Sequence, residues 1–301
     1  MSAPLLLPYL APWDWQQFQQ HFALRLLPGV EHLEVDRYSR SLRLGGVEGW
    51  FSVRPLTEQP ALELTCSERL QPYRRPLVEK VRKMFDLDAD PRAIAEHFAA
   101  DPLLGPRVAA NPGLRLPAAF DPFEQAVRAI VGQQVTVKAA VTITRRLLER
   151  LGEPLADGPP GLSVLFPTPR AIAEDPLERI GMPLKRVQAL RRLAAAVAEG
   201  ALGLHVEDGA EALVRRLREL PGIGPWTAEY IALRGFGAAD AFPAGDLGLL
   251  KAPLWGATGI SAKALAARAE AWRPWRAYAA VHIWQDYATS RTPEARTSGT
   301  L

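Results

Sequence analysis

The stretch Leu220-Pro221-Gly222-Ile223-Gly224-Pro225-Trp226-Thr227-Ala228-Glu229-Tyr230, with the acid Asp246 in Phe242-Pro243-Ala244-Gly245-Asp246-Leu247, decides how this chain is read. The residues before it predict a helix. Asp208 serves as its cap and Glu211 as the second half of a capping box, and Leu213, Val214, Leu217 and Leu220 form an apolar stripe at helical period. Gly222 and Gly224 permit positive φ and leave backbone N–H groups uncovered. Pro225 suits the first position of a following helix, where its missing N–H costs nothing. The bare amides of Gly222, Gly224 and Thr227 then form an anion site suited to a nucleic-acid phosphate. On the glycines alone, a tight connector between two helices is an equal reading. Trp226 and Tyr230 lie four apart and share a helical face, which a buried core would also accept. Asp246 reads equally as the N-cap of the next helix.

Outward from this hairpin, two kinds of sequence alternate poorly and separate well. Residues 1 to about 90 mix helix and strand. Trp13 to Leu27 reads as helix, and Val30 to Asp36, Ser39 to Leu44, Gly49 to Arg54 and Ala61 to Thr65 read as strands, with Gly45-Gly46 as a turn. Arg75 to Phe85 closes the unit as a helix. From about residue 91 the chain is rich in Ala, Leu, Arg and Glu, and predicts helices over 91-99, 121-131, 134-151, 168-174, 176-180, 184-199, 209-219, 225-235, 246-253, 261-271 and 274-288. Glu153 to Gly161 is a Pro/Gly-rich loop, and Thr289 to Leu301 is expected to be frayed. The fold class expected is α+β, a sheet unit followed by helical units.

Composition narrows the function classes. With 301 residues and 48% hydrophobic content the chain supports two or three compact units. It has no apolar run long enough to span a bilayer, and Met1 to Leu10 lacks the pattern of a signal peptide. Its one cysteine, Cys66, excludes an intrachain disulfide framework and a four-cysteine iron-sulfur cluster. A net charge of +3 with a pI near 9.1 permits a polyanionic partner. The histidines His21, His32, His97, His205 and His282 show no metal-binding spacing, so His282 is expected to pack within the last helix. The basic pairs Arg145-Arg146, Lys185-Arg186 and Arg191-Arg192 read as solvated faces or phosphate contacts, and Arg276 as the partner of an acid.

Leu220 to Tyr230 together with Asp246 resembles the signature of the HhH-GPD superfamily of DNA base-excision glycosylases. Further segments resemble its bacterial AlkA-type branch, the inducible 3-methyladenine DNA glycosylase II family. They include Asp14-Trp15, Arg37 to Leu42, Pro112 to Pro117, Phe123 to Gln133, Phe166 to Pro169, Gly181 to Arg186, Ala232 to Gly235, Trp272 to Ala279 and His282 to Trp284. The resemblance implies an antiparallel sheet domain like that of the TATA-binding protein over 1-90, and a helical domain over 121-238 with the hairpin at 209-235. A second helical domain, built from 91-120 plus 239-301, would carry the catalytic acid, and the cleft would lie between the helical domains.

It also implies roles. Asp246 matches the catalytic aspartate, which would stabilise an oxocarbenium-like sugar as the glycosidic bond breaks. Trp226, Tyr230 and Trp284 match positions that offer aromatic faces to a flipped, cationic alkylated base. Gly222, Gly224 and Thr227 would bind DNA backbone. Gln134, in Gly132-Gln133-Gln134-Val135, falls at the position of the DNA wedge, which is usually apolar. The main-chain carbonyls of Arg218, Leu220 and Ile223 match a site for a monovalent cation, Na+ or K+, and no other cofactor is implied. Relatives with lyase activity carry a lysine where this chain has Trp226, and tryptophan forms no Schiff base. The expected activity is therefore a monofunctional glycosylase for alkylated purines of the 3-methyladenine type. It would act as a cytoplasmic, nucleoid-associated monomer on double-stranded DNA in a bacterium. The alternatives are a glycosylase for oxidised or deaminated bases and a non-catalytic damage-binding protein. The aromatic pocket set argues against the first, and Asp246 against the second.

Overall fold

In the computed structural model, which describes residues 4–290, the first unit is an antiparallel sheet flanked by two helices. Its elements are β1 (Leu5–Pro8), α1 (Trp15–Ala23), β2 (Glu31–Leu33), β3 (Tyr38–Leu44), β4 (Val47–Pro55), β5 (Ala61–Cys66) and α2 (Arg74–Met84). The strand order is β1-β5-β4-β3-β2. Strand β1 pairs antiparallel with β5, Leu5 facing Leu64. This edge strand escapes a pattern reading because Leu5-Leu6-Leu7-Pro8 does not alternate. Phe18, Phe22, Tyr38, Phe51, Leu64 and Phe85 fill the space between sheet and helices.

The helical part follows as α3 (Pro91–Phe98), α4 (Gly105–Ala110), α5 (Pro122–Val131), α6 (Val137–Leu151), the short pair β6 (Glu153–Pro154) and β7 (Val164–Leu165), α7 (Pro169–Glu174) and α8 (Leu184–Ala198). It ends with α9 (Ala210–Arg218), α10 (Pro225–Phe236), α11 (Leu247–Leu250), α12 (Ala262–Ala269) and α13 (Arg276–Thr289). These helices share one hydrophobic core running from Leu27 to Ile283. The segment 91-120 is tied to the C-terminal helices through Trp272 Nε1 donating to Asp101 (2.8 Å), the Arg107–Asp286 pair and the edge-on contact of His97 with Trp275.

Two local expectations are corrected. Residues 176-180 do not form a helix, because Leu177 and Arg179 adopt positive φ (52° and 58°), which a right-handed helix excludes. The capping box at Asp208 is not made. Gly209 starts α9 without a side-chain cap, and the Asp208 carboxylate is held by Arg216, eight residues ahead. The frayed tail expected over Thr289 to Leu301 lies mostly outside the described residues, and α13 runs to Thr289.

The sheet unit and the helical unit are joined by buried charge. Arg40 on β3 donates to Glu124 on α5 (2.7 Å), and both side chains are 4% exposed. Arg128, one turn along α5, binds Glu124 (2.6 Å), Glu31 on β2 (2.8 Å) and the Arg25 carbonyl at the end of α1 (2.7 Å). Tyr38 hydroxyl donates to the other oxygen of Glu31 (2.7 Å). This network fixes α1 against α5, which matters for the cleft below.

A second polar contact between the units has a pH signature. Oδ2 of Asp86 accepts hydrogen bonds from the Tyr278 hydroxyl (2.8 Å) and the Leu116 amide (3.0 Å). Burial outweighs these bonds and pushes its carboxyl up to about 6. A carboxyl whose folded pKa lies above its unfolded value stabilises most when protonated, and that stability is lost as pH rises from about 4 through about 6. Asp86→Asn keeps an oxygen for both donors and suits the φ of 51° at this position. The variant should therefore melt higher than wild type at pH 7.5, by up to roughly 3 kcal/mol, with the gap closing near pH 4. Thermal melts across this range test it, and a gap independent of pH would show that Asp86 is not the group responsible.

Candidate active site

Helix α10 begins at the hairpin and sets one wall of a cleft. Gly224 is its N-cap, Pro225 its first residue, and no side chain caps it. Trp226, Tyr230 and Arg234 recur every four residues, so they stack along one face of α10. All three line a cavity of about 660 Å³. The Trp226 and Tyr230 rings lie nearly parallel, with centroids 5.2 Å apart and planes 13° apart. Trp284, from α13, meets Tyr230 edge-on at 6.2 Å.

Asp246 sits where these aromatic groups converge. Its Oδ2 accepts from Trp226 Nε1 (3.0 Å), and its Oδ1 from Trp284 Nε1 (2.8 Å). Oδ1 also accepts from the amides of Gly248 (2.9 Å) and Leu249 (3.2 Å), so Asp246 does cap α11. Capping and alignment in the cleft are performed by the same carboxylate. The two indoles bind opposite oxygens and hold the group from both sides, which fixes its rotamer without neutralising it. Gly248 makes this possible. A Cβ there would come within 3.1 Å of both Asp246 Oδ1 and Trp284 Cδ1.

Part of the lining comes from the sheet unit. Gln17, His21 and Arg25 of α1 and its exit line the cavity beside Gln125 and Arg128 of α5. His21 is held well below the usual imidazole range by burial and by the charges of Arg25, Arg234 and Arg128. Its Nδ1 lies 3.5 Å from Arg25 Nη1, which can only donate. No motif in the sequence points to α1 as part of the cleft. Arg234 was legible in principle, as the third member of the i, i+4, i+8 stripe.

The hairpin and the 132-136 loop are linked by one glutamine. Gln133 Nε2 donates to the Gly222 carbonyl and to the Thr227 hydroxyl, both at 3.0 Å. This turns the Thr227 side chain inward, where it is buried, and joins the 132-136 loop to the hairpin. Gln134 is exposed at positive φ (55°), beside the cavity-lining Gly132 and Val135. Arg218 ends α9, the Leu220 carbonyl accepts from the Ile223 amide (3.1 Å), and Ile223 is buried.

The two hairpin glycines differ in kind. Gly222 has φ +99°, and a Cβ on it would lie 2.5 Å from Ala189 Cβ of α8, whereas Gly224 is extended (φ −86°) and a Cβ there meets nothing within 4 Å. Both glycines permit positive φ and only Gly222 uses it; Gly224 is extended as the helix N-cap. Gly222→Ala should lower stability by about 1 to 3 kcal/mol and weaken binding to all DNA sequences alike. Gly224→Ala should leave stability within about 0.5 kcal/mol. Denaturant titration with a DNA-binding isotherm reads both, and equal stability of the two variants would contradict this distinction.

Comparison with known proteins follows the same outline. Residues 4–121 match the family model of the AlkA N-terminal domain, and residues 127–276 that of the HhH-GPD superfamily base excision DNA repair proteins. DNA-3-methyladenine glycosylase 2 of Escherichia coli (strain K12) is 40% identical over 276 residues, covering 91% of this chain and 94% of that protein. The chain belongs to the HhH-GPD superfamily. A probable bifunctional transcriptional activator/DNA repair enzyme AlkA of Mycobacterium tuberculosis is 38% identical across 94% of this chain, which spans 57% of that longer protein. Among solved structures, the 3-methyladenine DNA glycosylase from Archaeoglobus fulgidus superposes with a TM-score of 0.79 at 21% identity, covering 94% of this chain and 98% of that one.

Other residues singled out in the sequence now have places in this HhH-GPD fold. His282 is buried, and burial pulls its imidazole down to about 4, which keeps it neutral and packed. Arg276 pairs with Asp240 (2.9 Å) and Glu270 (3.2 Å), joining the start of α13 to the exit of α10. Arg191 donates to the Ala173 carbonyl and Arg146 to that of Ile180, so these members of the basic pairs bind backbone. Among the described residues, no cluster of His, Cys, Asp and Glu could hold a metal ion, and no helix is long and apolar enough to cross a membrane.

Proposed function

We propose that this cleft hydrolyses the N-glycosidic bond of alkylated purines of the 3-methyladenine type in double-stranded DNA, as a step of base excision repair. The observation that carries the proposal is the Asp246 carboxylate, gripped by the indoles of Trp226 and Trp284 in the lining of a cavity that also holds Tyr230. The similarity to the E. coli glycosylase over most of both chains supports the same reading.

The mechanism follows from these residues. A base stacked in duplex DNA cannot reach Asp246, so its nucleotide must flip into the cavity. The hairpin holds backbone through the uncapped start of α10, and the carbonyls of Arg218, Leu220 and Ile223 would hold a monovalent cation that would add positive charge beside a phosphate. Gln134 fills the space that the base leaves, at the cost of less apolar contact than a leucine-sized wedge. The flat base lies against the Trp226–Tyr230 stack, where a cationic ring gains on the order of 0.5 to 2 kcal/mol. As the C1′–N bond breaks, its electron pair moves to the base, and the positive charge grows on the sugar beside Asp246. Water then adds to C1′ and gives up a proton to solvent, leaving the sugar as an abasic site. Lysine is absent from the cavity lining among the described residues, which supports a monofunctional enzyme. Incubation with methylated DNA tests this: free 3-methyladenine should appear while the strand stays uncut. Strand scission without alkali would refute the monofunctional reading.

A further inference from the structure

The cleft contains a charge that an aromatic pocket for cations does not require. Arg234 is only 7% exposed and lines the cavity. Its guanidinium carbon sits 4.7 Å from the centre of the Trp284 ring, and Nη1 donates to the Pro117 carbonyl (3.1 Å). Its Nε has no hydrogen-bond partner. No carboxylate stands within ion-pairing distance of it among the described residues, and Asp246 is the one acid in the cavity lining. Burial pulls its pKa down to about 10, which leaves it charged at neutral pH.

The positions of these two charges are not arbitrary. Trp226, at the start of α10, bonds one oxygen of Asp246, while Arg234, two turns along the same helix face, lies over the ring of Trp284, whose Nε1 bonds the other oxygen. A nucleotide flipped in with its sugar at Asp246 brings its base into the cavity that Arg234 also lines. We propose that Arg234 is a specificity-determining residue of this reaction, setting a fixed positive charge beside the base across the Trp284 indole from the carboxylate. This inference rests on the proposed glycosylase reading.

The consequence depends on the charge of the base. When the C1′–N bond breaks, the electron pair goes to the base nitrogen and the sugar becomes more positive. An N-alkylated cationic purine thereby becomes neutral. A neutral purine becomes electron-rich until it takes up the proton that the attacking water loses to form the C1′–OH bond. Arg234 stabilises the electron-rich base and opposes binding of the cationic one. It therefore extends the activity toward neutral bases with ring acceptors, which the aromatic faces alone would not favour.

The test compares the second-order rate constants for release of 3-methyladenine and of hypoxanthine from duplex DNA. In Arg234→Gln the hypoxanthine rate should fall at least about tenfold further than the 3-methyladenine rate, the scale of one unit-charge interaction across several ångströms of protein. Arg234→Lys, which keeps the charge, should hold the wild-type ratio even if both rates drop. Equal losses for both bases in Arg234→Gln would reduce Arg234 to a packing residue for Trp284 and overturn the proposal. A ratio that collapses in Arg234→Lys would do the same, and that arm reads the question even if the glutamine variant fails to fold. Failure of the wild type to release 3-methyladenine would instead refute the underlying glycosylase reading.

Discussion

Asp246→Asn should reduce base release by a factor of about 100 to 1,000 or more, while the protein stays folded. The carboxylate is the one negative group lining the cavity among the described residues, so nothing replaces its field at a developing sugar cation. Loss of one preorganised electrostatic group in an active site typically costs on that scale. The fold, in contrast, loses little. An asparagine oxygen can take over the bonds at Oδ1 from Trp284 and the Gly248 and Leu249 amides. Only the Trp226 indole N–H then faces another donor, a local cost of about 1 to 3 kcal/mol. Single-turnover release of 3-methyladenine from methylated DNA, alongside a melting curve, separates the two effects. A variant that excises as fast as wild type would sink the mechanism, and one that fails to fold would show that Asp246 is chiefly a helix cap.

Glu124→Ala should destabilise the protein by about 3 to 5 kcal/mol, a large part of the roughly 5 to 15 kcal/mol by which domains are stable. The physical reason is the charge left behind. Arg40 loses its only ion-pair acid among the described residues and keeps the Ser41 carbonyl, at 3.2 Å, and the face of the Phe120 ring, at 5.4 Å. Arg128 keeps Glu31. A guanidinium this deeply buried without a carboxylate cannot shed its proton at neutral pH, so water must enter or the junction must open. Replacing the pair together, Arg40→Met with Glu124→Leu, removes both charges and should recover most of the loss. Urea denaturation of the two variants measures the difference. A loss below about 1 kcal/mol for Glu124→Ala would mean that the junction is held by packing alone. Because Arg128 also binds the Arg25 carbonyl, the single variant should loosen the α1 wall of the cleft.

Much of the site was written locally. The hairpin, the start of α10 at Pro225 and the shared face of Trp226 and Tyr230 follow from glycine, proline and a four-residue spacing. The N-cap role of Asp246 follows from its place before Leu247. Strands β2 to β5 were legible as short alternating or β-rich runs, while β1 was not, since an edge strand of consecutive leucines shows no period. The false helix at 176-180 had acceptable composition, and only the positive φ of Leu177 and Arg179 reveals the turn.

Sequence alone therefore determined the local geometry: which residues form the hairpin, which share the face of α10, and which acid opens α11. Tertiary structure decided what meets that face. Trp284 reaches Asp246 from 38 residues away, and Gln133 clasps the hairpin from 89 residues away. The α1 wall is set by the ion pairs of Arg40 and Arg128, which join residues 84 and 97 apart. Helical period and turn chemistry act over a few residues, so they specify a face and its contents. Whether that face borders a cavity, and with what charge opposite, depends on buried long-range contacts that no local pattern encodes.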